Sequence, residues 1–437
     1  MRDEYPRGAD GRLMVGGCDA VELARRFGTP LHVIDGDRLR ANLHAYREAF
    51  ARHAPSGQPV FASKALCVVA TCQLAHEAGF WLDVASGGEL YTALRAGVPA
   101  DRLVFHGNYK TPEELRWAAE VGVGRVAVDN LHELEELDRI ARAAGRVVDV
   151  WLRVTPGIEP HTHRAIQTGG VDTKFGFGIP DGAARGAVRN TLELPGLRLR
   201  GFHSHIGSQI LELEPFEENA RAVLDFAAEV RAETGFVAEE VNLGGGLGIR
   251  YTSADRPPSI EEYVAAVARA LQAACARLDY PVPKLFLEPG RSVVGPAGVT
   301  LYTVGPVKRI PGVRTYVATD GGMYENPRPA LYGARYEAVL AARPDDPPAE
   351  VVALAGRCCE SGDVLIWEAH LPAVRPGDVL AVFSTGAYTY SMASNYNRFP
   401  RPAVVLAEGG RAAVVVRRET YEDLVRLDVP FAEAVRV

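Results

Sequence analysis

Between residues 58 and 290 the chain alternates short apolar runs with amphipathic helical stretches, and this alternation constrains the fold more than any other feature. The apolar runs are 60–65 (VFASKA), 81–86 (WLDVAS), 103–107 (LVFHG), 125–130 (RVAVDN), 148–154 (VDVWLRV), 199–207 (LRGFHSHIG), 240–246 (EVNLGGG) and 284–290 (KLFLEPG). The first five begin roughly 22 residues apart, one βα unit each. Strands that alternate with helices form a parallel sheet covered by those helices. Eight of them at even spacing predict a closed (β/α)8 barrel, an α/β TIM barrel, over an open doubly wound sheet. Helix starts between the runs are well marked. Thr111-Pro112-Glu113-Glu114 combines an N-cap, a proline at the first helical position and a glutamate three residues after the cap. Asn130 with Glu133, and Ser259 with Glu262, repeat the pattern more loosely.

After Arg291 the pattern changes to runs such as VTLYTVG, TYVATD, VVALAG, DVLAVF and AAVVVRR, separated by Gly, Pro and Asp. These predict a C-terminal, mostly antiparallel β domain. A further strand near Leu31 to Ile34 precedes the barrel, so the N-terminal segment is expected to complete that β domain. The expected organisation is a barrel over 35–293 and a β domain from 1–34 and 294–437, with an exposed loop at Arg343–Pro348.

With 437 residues, 47% hydrophobic and 24% charged, the chain has an ordinary globular balance and ample length for a core. Its net charge of -7 lacks the basic excess that a non-specific nucleic-acid or acidic-membrane binder needs. No apolar run approaches the roughly 18 residues of a bilayer span, and Met1–Asp10 lacks the apolar core of a signal peptide. The expectation is a cytoplasmic protein with neither membrane nor nucleic acid as partner. Cys18, Cys67, Cys72, Cys275, Cys358 and Cys359 are too sparse for a disulfide framework and lack paired zinc-site spacing. No metal is expected.

A (β/α)8 barrel places its chemistry at the C-terminal ends of its strands. Those ends carry Ser63 and Lys64, Asp83 and Ser86, His106 and Asn108, then His203, His205 and Ser208, then Gly244-Gly245-Gly246, and finally Glu288, Gly290 and Arg291. Only five lysines exist, Lys64, Lys110, Lys174, Lys284 and Lys308, and Lys64 at the end of the first strand is the most informative of them. Its apolar surroundings suggest either an ammonium snorkelling at a strand end or an amine made nucleophilic by desolvation or a nearby cation, ready for a Schiff base. The triglycine follows strand seven, where barrel phosphate sites recur, and glycines let backbone N–H groups approach a phosphate. Lysine plus phosphate cradle points to pyridoxal 5'-phosphate (PLP). Glu288 would then keep the pyridine nitrogen protonated; its alternative is a salt bridge to Arg291. His161 with His163, and His203 with His205, raise a metal-binding rival, because alternate residues share one face of a strand.

Long motifs resemble the diaminopimelate decarboxylase family, which has the alanine-racemase-like PLP fold. They are FASKAL at 61–66, LDVASGGEL at 82–90, HGNYK at 106–110, HSHIGSQI at 203–210, NLGGGLG at 242–248, EPGR at 288–291, DGGMYENPRPALYGA at 320–334, CESGD at 359–363 and TGAYTYSMASNYN at 385–397. The resemblance implies that Lys64 carries PLP covalently and that His205 stacks on its ring. It implies that Asp83, Ser208, Gly244, Gly245, Gly246, Gly290, Arg291 and Tyr388 surround the cofactor, with Glu288 at the pyridine nitrogen. Arg291, Arg328, Tyr332 and Tyr388 are implied to bind substrate, and Cys359 and Glu360 to enter the site from a partner subunit of a homodimer. Cys359 is taken over Cys358 because it directly precedes the Glu-Ser-Gly-Asp run.

The implied reaction is decarboxylation of meso-2,6-diaminopimelate to L-lysine and carbon dioxide, with Cys359 as general acid toward Cα. Arg328 suits the substrate's distal carboxylate and Glu360 its ammonium. The alternatives are a related decarboxylase acting on ornithine, arginine, carboxynorspermidine or a carrier-bound glutamate, a barrel metal hydrolase using the histidine pairs, and a non-catalytic PLP carrier.

Overall fold

The computed structural model describes residues 4–158, 173–431 and 433. The chain divides into two compact units. One runs over Leu39–Arg250 and Ala254–Gly295; the other takes the chain up to Arg38, Tyr251–Ser253 and Pro296 onward.

The first unit is the barrel. Its strands are Gln58–Ala62, Trp81–Val84, Leu103–Phe105, Arg125–Val128, Val148–Thr155, Leu197–His203, Glu240–Asn242 and Lys284–Leu287. Each pairs in parallel with the next. The ring closes where Phe286 and Leu287 of the last strand register with Gln58 and Pro59 of the first. Side chains fill the interior, with Val60, Val104, Trp151 and Phe286 fully buried in one cluster. Strands buried on both faces need continuous apolar sequence, which is why all eight are visible as apolar runs.

The crossover helices start where their caps predict. Thr111 accepts from the Glu114 amide at 3.2 Å while Glu114 reaches back to the Thr111 amide at 2.9 Å, closing the box ahead of the helix Pro112–Val121. Ser259 and Glu262 do the same before Ile260–Leu278. Asn130 caps Leu131–Ala143, but Glu133 turns away to a buried Lys110 at 2.7 Å. At the strand starts, Arg125 makes a two-pronged contact with Glu240 at 2.6 and 2.7 Å, and Trp151 Nε1 donates to the same carboxylate at 2.8 Å. This charged floor leaves the opposite pole for function.

The second unit is built on one long strand, Gly298–Ile310. It pairs antiparallel with Leu31–Asp35, Val379–Phe383 and Arg314–Thr319. Leu31–Asp35, buried along its whole length, sits inside this sheet between Gly298–Ile310 and Ala403–Glu408. The N-terminal segment therefore completes the β unit as expected. Two pairings are parallel: Leu31–Asp35 with Ala403–Glu408, and Arg314–Thr319 with Glu350–Ala355. The strands Val364–Leu371 and Ala403–Glu408 have no counterpart among the predicted runs. No described helix is long and apolar enough to cross a membrane, and all six cysteines are free thiols.

Candidate active site

The first barrel strand runs into a single 3-10 turn, Ser63–Ala65, that carries Lys64. Ser63 and Ala65 are buried and Lys64 is exposed. The desolvation expected for this amine is therefore not supplied by the chain: the tight turn spends its buried positions on the two small residues. The end of this strand is laced to the end of the eighth. The Ala62 amide donates to Pro289 O at 3.1 Å, and a Cβ on Gly290 would lie 2.9 Å from that of Ala62.

At this pole a buried carboxylate, Glu288, is met by three donors from three other strands. His106 Nε2 lies 2.7 Å from Oε1, Asn242 Nδ2 lies 2.6 Å from the same oxygen, and His203 Nε2 lies 3.2 Å from Oε2. Burial opposes the charge on Glu288, but the two histidines and their hydrogen bonds outweigh it and hold the carboxyl well below its ordinary range. Burial pushes His203 down to about 4, so its ring is neutral near pH 7. The salt bridge to Arg291 does not form. Arg291 instead donates to Ser208 Oγ at 2.8 and 3.2 Å.

The triglycine turn is wedged between these groups. A Cβ on Gly244 would lie 2.8 Å from His205 Cβ, one on Gly245 2.1 Å from Glu288 O, and one on Gly246 2.5 Å from Gly207 O. Gly244 and Gly246 also hold φ of 68° and 116°, which other residues avoid. Asn242 ties the turn to the carboxylate, since its Oδ1 accepts from the Gly244 amide at 2.9 Å.

Charges crowd this pole. Burial raises Asp83, offset by His106 and Lys64, and lowers Arg153, offset by Asp129, Glu288 and Asp83. His205 is held well below its ordinary value by burial, and Lys64 and Arg153 add to this. Asp83 Oδ1 is buried with no hydrogen-bond partner among the described residues. A lysine, a crowded glycine turn beside Ser208 and Arg291, an ionised buried carboxylate and an unmatched polar atom suit a phosphorylated pyridine aldehyde. His106, His203 and Glu288 also offer three atoms within 4.8 Å of one another, as a metal site would. Their N–O separations of 2.7 and 3.2 Å are hydrogen-bond distances, with a proton between the partners. His161 and His163 lie outside the described residues.

The remaining predicted residues belong to the second unit. Arg328 and Tyr332 open and close one short helix, on the same side. Arg328 is buried, donates to Tyr336 O–H at 2.5 Å and lies 4.7 Å over the Tyr251 ring. Tyr388 is close enough to raise the Arg328 pKa further and has a left-handed φ of 58°. Cys359 and Glu360 are exposed on a loop pinned by Asp363, whose carboxylate accepts from the Cys358 amide at 2.8 Å and the Met323 amide at 2.7 Å. Burial and Asp363 push the Cys358 thiol up to about 12, so at neutral pH it stays protonated and is no nucleophile. The neighbouring Cys359 has its amide held by Asn397 Oδ1 at 2.7 Å and its side chain outside.

Sequence reasoning passed over Arg153 and Asn242. Each carried a signal: Arg153 is a cation within the apolar half of its strand, and Asn242 is the last strand residue before the glycines. Residues 37–295 match the family of pyridoxal-dependent decarboxylases, over its pyridoxal binding domain. A diaminopimelate decarboxylase of Bacillus subtilis is 50% identical over 426 residues, covering 98% of this chain and 97% of that protein. The crystal structure of the M. jannaschii diaminopimelate decarboxylase with L-lysine is 38% identical, with a TM-score of 0.90 over 98% of each chain. That of Helicobacter pylori with L-lysine is 30% identical, with a TM-score of 0.85 over 93% of this chain and 98% of the other.

Proposed function

The chain belongs to the pyridoxal-dependent decarboxylases, and from that membership we infer that it converts meso-2,6-diaminopimelate to L-lysine and carbon dioxide, the last step of lysine biosynthesis. The observation that carries this reading is the barrel pole where Lys64, the triglycine turn and the ionised Glu288 sit on neighbouring strand ends. PLP, when bound, supplies an electron sink for the pair left at Cα by the departing carbon dioxide.

The chain supplies the rest. Lys64 would hold the cofactor through its amine, which the substrate amine would replace. Glu288 would accept from a protonated ring nitrogen, and His205 would lie against the ring. Asp83, Ser208, Gly244, Gly245, Gly246, Gly290, Arg291 and Tyr388 complete the cofactor's surroundings. Arg291, Arg328, Tyr332 and Tyr388 hold substrate carboxylates, and Glu360 takes the distal ammonium. Decarboxylation consumes one proton at Cα; the Cys359 thiol delivers it and is reprotonated from water. Two copies pair, each lending Cys359 and Glu360 to the other, and the enzyme works in the cytoplasm.

The test is product identification with purified protein, PLP and meso-diaminopimelate. L-lysine and carbon dioxide in equal amounts are expected, with Lys64→Ala losing both turnover and the visible absorbance of bound PLP. Negligible release from meso-diaminopimelate, with turnover of ornithine, arginine, carboxynorspermidine or carrier-bound glutamate, would overturn the substrate. For the shared site, mixing Lys64→Ala with Cys359→Ala is expected to restore activity through hybrid dimers; no recovery under proven subunit exchange rules it out.

A further inference from the structure

Glu288 has one use in the reaction above and three hydrogen-bond donors around it that the reaction does not name. A carboxyl buried to 7% exposure takes up a proton unless donors keep it ionised. A protonated Glu288 would present a donor or an inert hydroxyl where an acceptor is needed. The chain answers with hydrogen-bond donors from His106, His203 and Asn242. His203 is neutral near pH 7, so its Nε2 carries the single ring proton toward Glu288, and Nδ1 is a buried atom with no partner among the described residues. Asn242 can only donate through Nδ2, because its Oδ1 is fixed by the Gly244 amide.

The hydrogen bonds are unevenly shared between the two carboxylate oxygens. Oε1 accepts from both His106 and Asn242, at 2.7 and 2.6 Å, which occupies its two lone pairs. Among the described residues, Oε2 accepts only from His203, at 3.2 Å, and keeps one lone pair. The backbone fixes the same arrangement, since the Glu288 amide donates to Gly244 O at 2.7 Å. Asp83, Lys64, Arg153, His205 and Tyr263 are further charged or titratable groups facing this cluster.

We propose that His106, His203 and Asn242 are positioning residues that hold Glu288 as a carboxylate and leave it one acceptor site, on Oε2, for the ring nitrogen of the cofactor. The proposal rests on the PLP reading, and it makes Asn242 the link that sets the glycine turn and the carboxylate at a fixed separation.

The test reads Glu288 directly. Isotope-edited infrared spectra of the cofactor-free protein, referenced to Glu288→Gln, report whether this carboxyl is ionised. Wild type is expected to show the carboxylate band across the neutral range. His106→Leu is expected to shift its protonation midpoint upward, to alter the visible spectrum of bound PLP and to lower kcat on the order of 100-fold with little change in KM. His106→Gln, which keeps an N–H in place, is expected to restore most of each. Asn242→Asp, the same size, sets a second carboxyl against Oε1 and is expected to force a shared proton. It carries the test if His106→Leu does not fold. Unchanged infrared and visible spectra in His106→Leu or Asn242→Asp overturn the proposal, as does a His106→Gln protein as impaired as the leucine variant. Wild type that retains the infrared pattern but does not decarboxylate meso-diaminopimelate would instead sink the substrate assignment alone.

Discussion

Gly245 offers the sharpest single perturbation of the site. Its φ is not in the left-handed region, so alanine is acceptable to its backbone and only space opposes it. A Cβ there would lie 2.1 Å from Glu288 O and 2.9 Å from Glu288 C, more than 1 Å inside ordinary contact. Neither side can retreat cheaply. The Glu288 amide is bonded to Gly244 O at 2.7 Å, and the Leu243 amide to Phe286 O at 3.1 Å. Relief therefore needs the turn and the eighth-strand end to part by about 1 Å, against an overpacking cost of about 1–3 kcal/mol. The same movement pulls the glycine cradle away from the carboxylate. Misplacement of that size costs on the order of 100-fold in rate.

Gly245→Ala should thus weaken PLP binding and lower kcat while lowering the urea midpoint of the cofactor-free protein. Gly186→Ala is the matched control. Gly186 lies in the helix Ala183–Leu192 with nothing within 4 Å of its added Cβ, and there alanine should stabilise by about 0.4–1 kcal/mol. Cofactor affinity by absorbance titration and turnover by lysine formation measure the difference. A Gly245→Ala protein with wild-type PLP affinity and wild-type turnover would refute the idea that this close approach sets the spacing of the site.

Three further outcomes follow from other groups. Iodoacetamide at neutral pH should modify Cys359 and spare Cys358, read by peptide mapping, because only Cys359 is exposed and the Cys358 thiol is pushed up to about 12; Cys359→Ser should abolish most turnover and Cys358→Ser little of it. His203 is held near 4 in the folded chain against an ordinary 6.5, so the unfolded chain binds the extra proton first and stability falls as pH drops through that window, by at most about 3 kcal/mol; urea unfolding at neutral pH and near pH 4 should show this loss, and His203→Gln should reduce it. Asp363→Ala leaves the Cys358 and Met323 amides without their acceptor, at roughly 1–3 kcal/mol each. It should lower kcat through the Cys359 loop while the barrel's PLP affinity stays unchanged, and an affinity loss equal to the kcat loss would contradict that separation.

What could be read from sequence divides along a physical line. The eight barrel strands are buried on both faces, so each is a local apolar run, and the pole that carries chemistry follows from their order alone. Val364–Leu371 escaped because Trp367, Glu368 and His370 face outward and break the run with exposed positions. Ala403–Glu408 escaped because it follows Pro400-Arg401-Pro402, which reads as a loop, although its pairing with Leu31–Asp35 buries it. At the site, Lys64 and Glu288 stand out because their types are chemically rare at strand ends. The groups that decide whether Glu288 is charged do not stand out. His106 and Asn242 lie 182 and 46 residues away from it in the chain; barrel closure brings His106 to 2.7 Å from across the ring, and pairing of the seventh strand with the eighth brings Asn242 to 2.6 Å. The exposure of Lys64 has the same origin: local sequence surrounds it with apolar neighbours, but a tight turn decides which of them takes the interior. A reactive residue type is thus a local property of the chain, whereas its protonation state belongs to the closed barrel. Substitutions at His106 or Asn242 should therefore change the chemistry of Glu288 while leaving every recognisable motif around it intact.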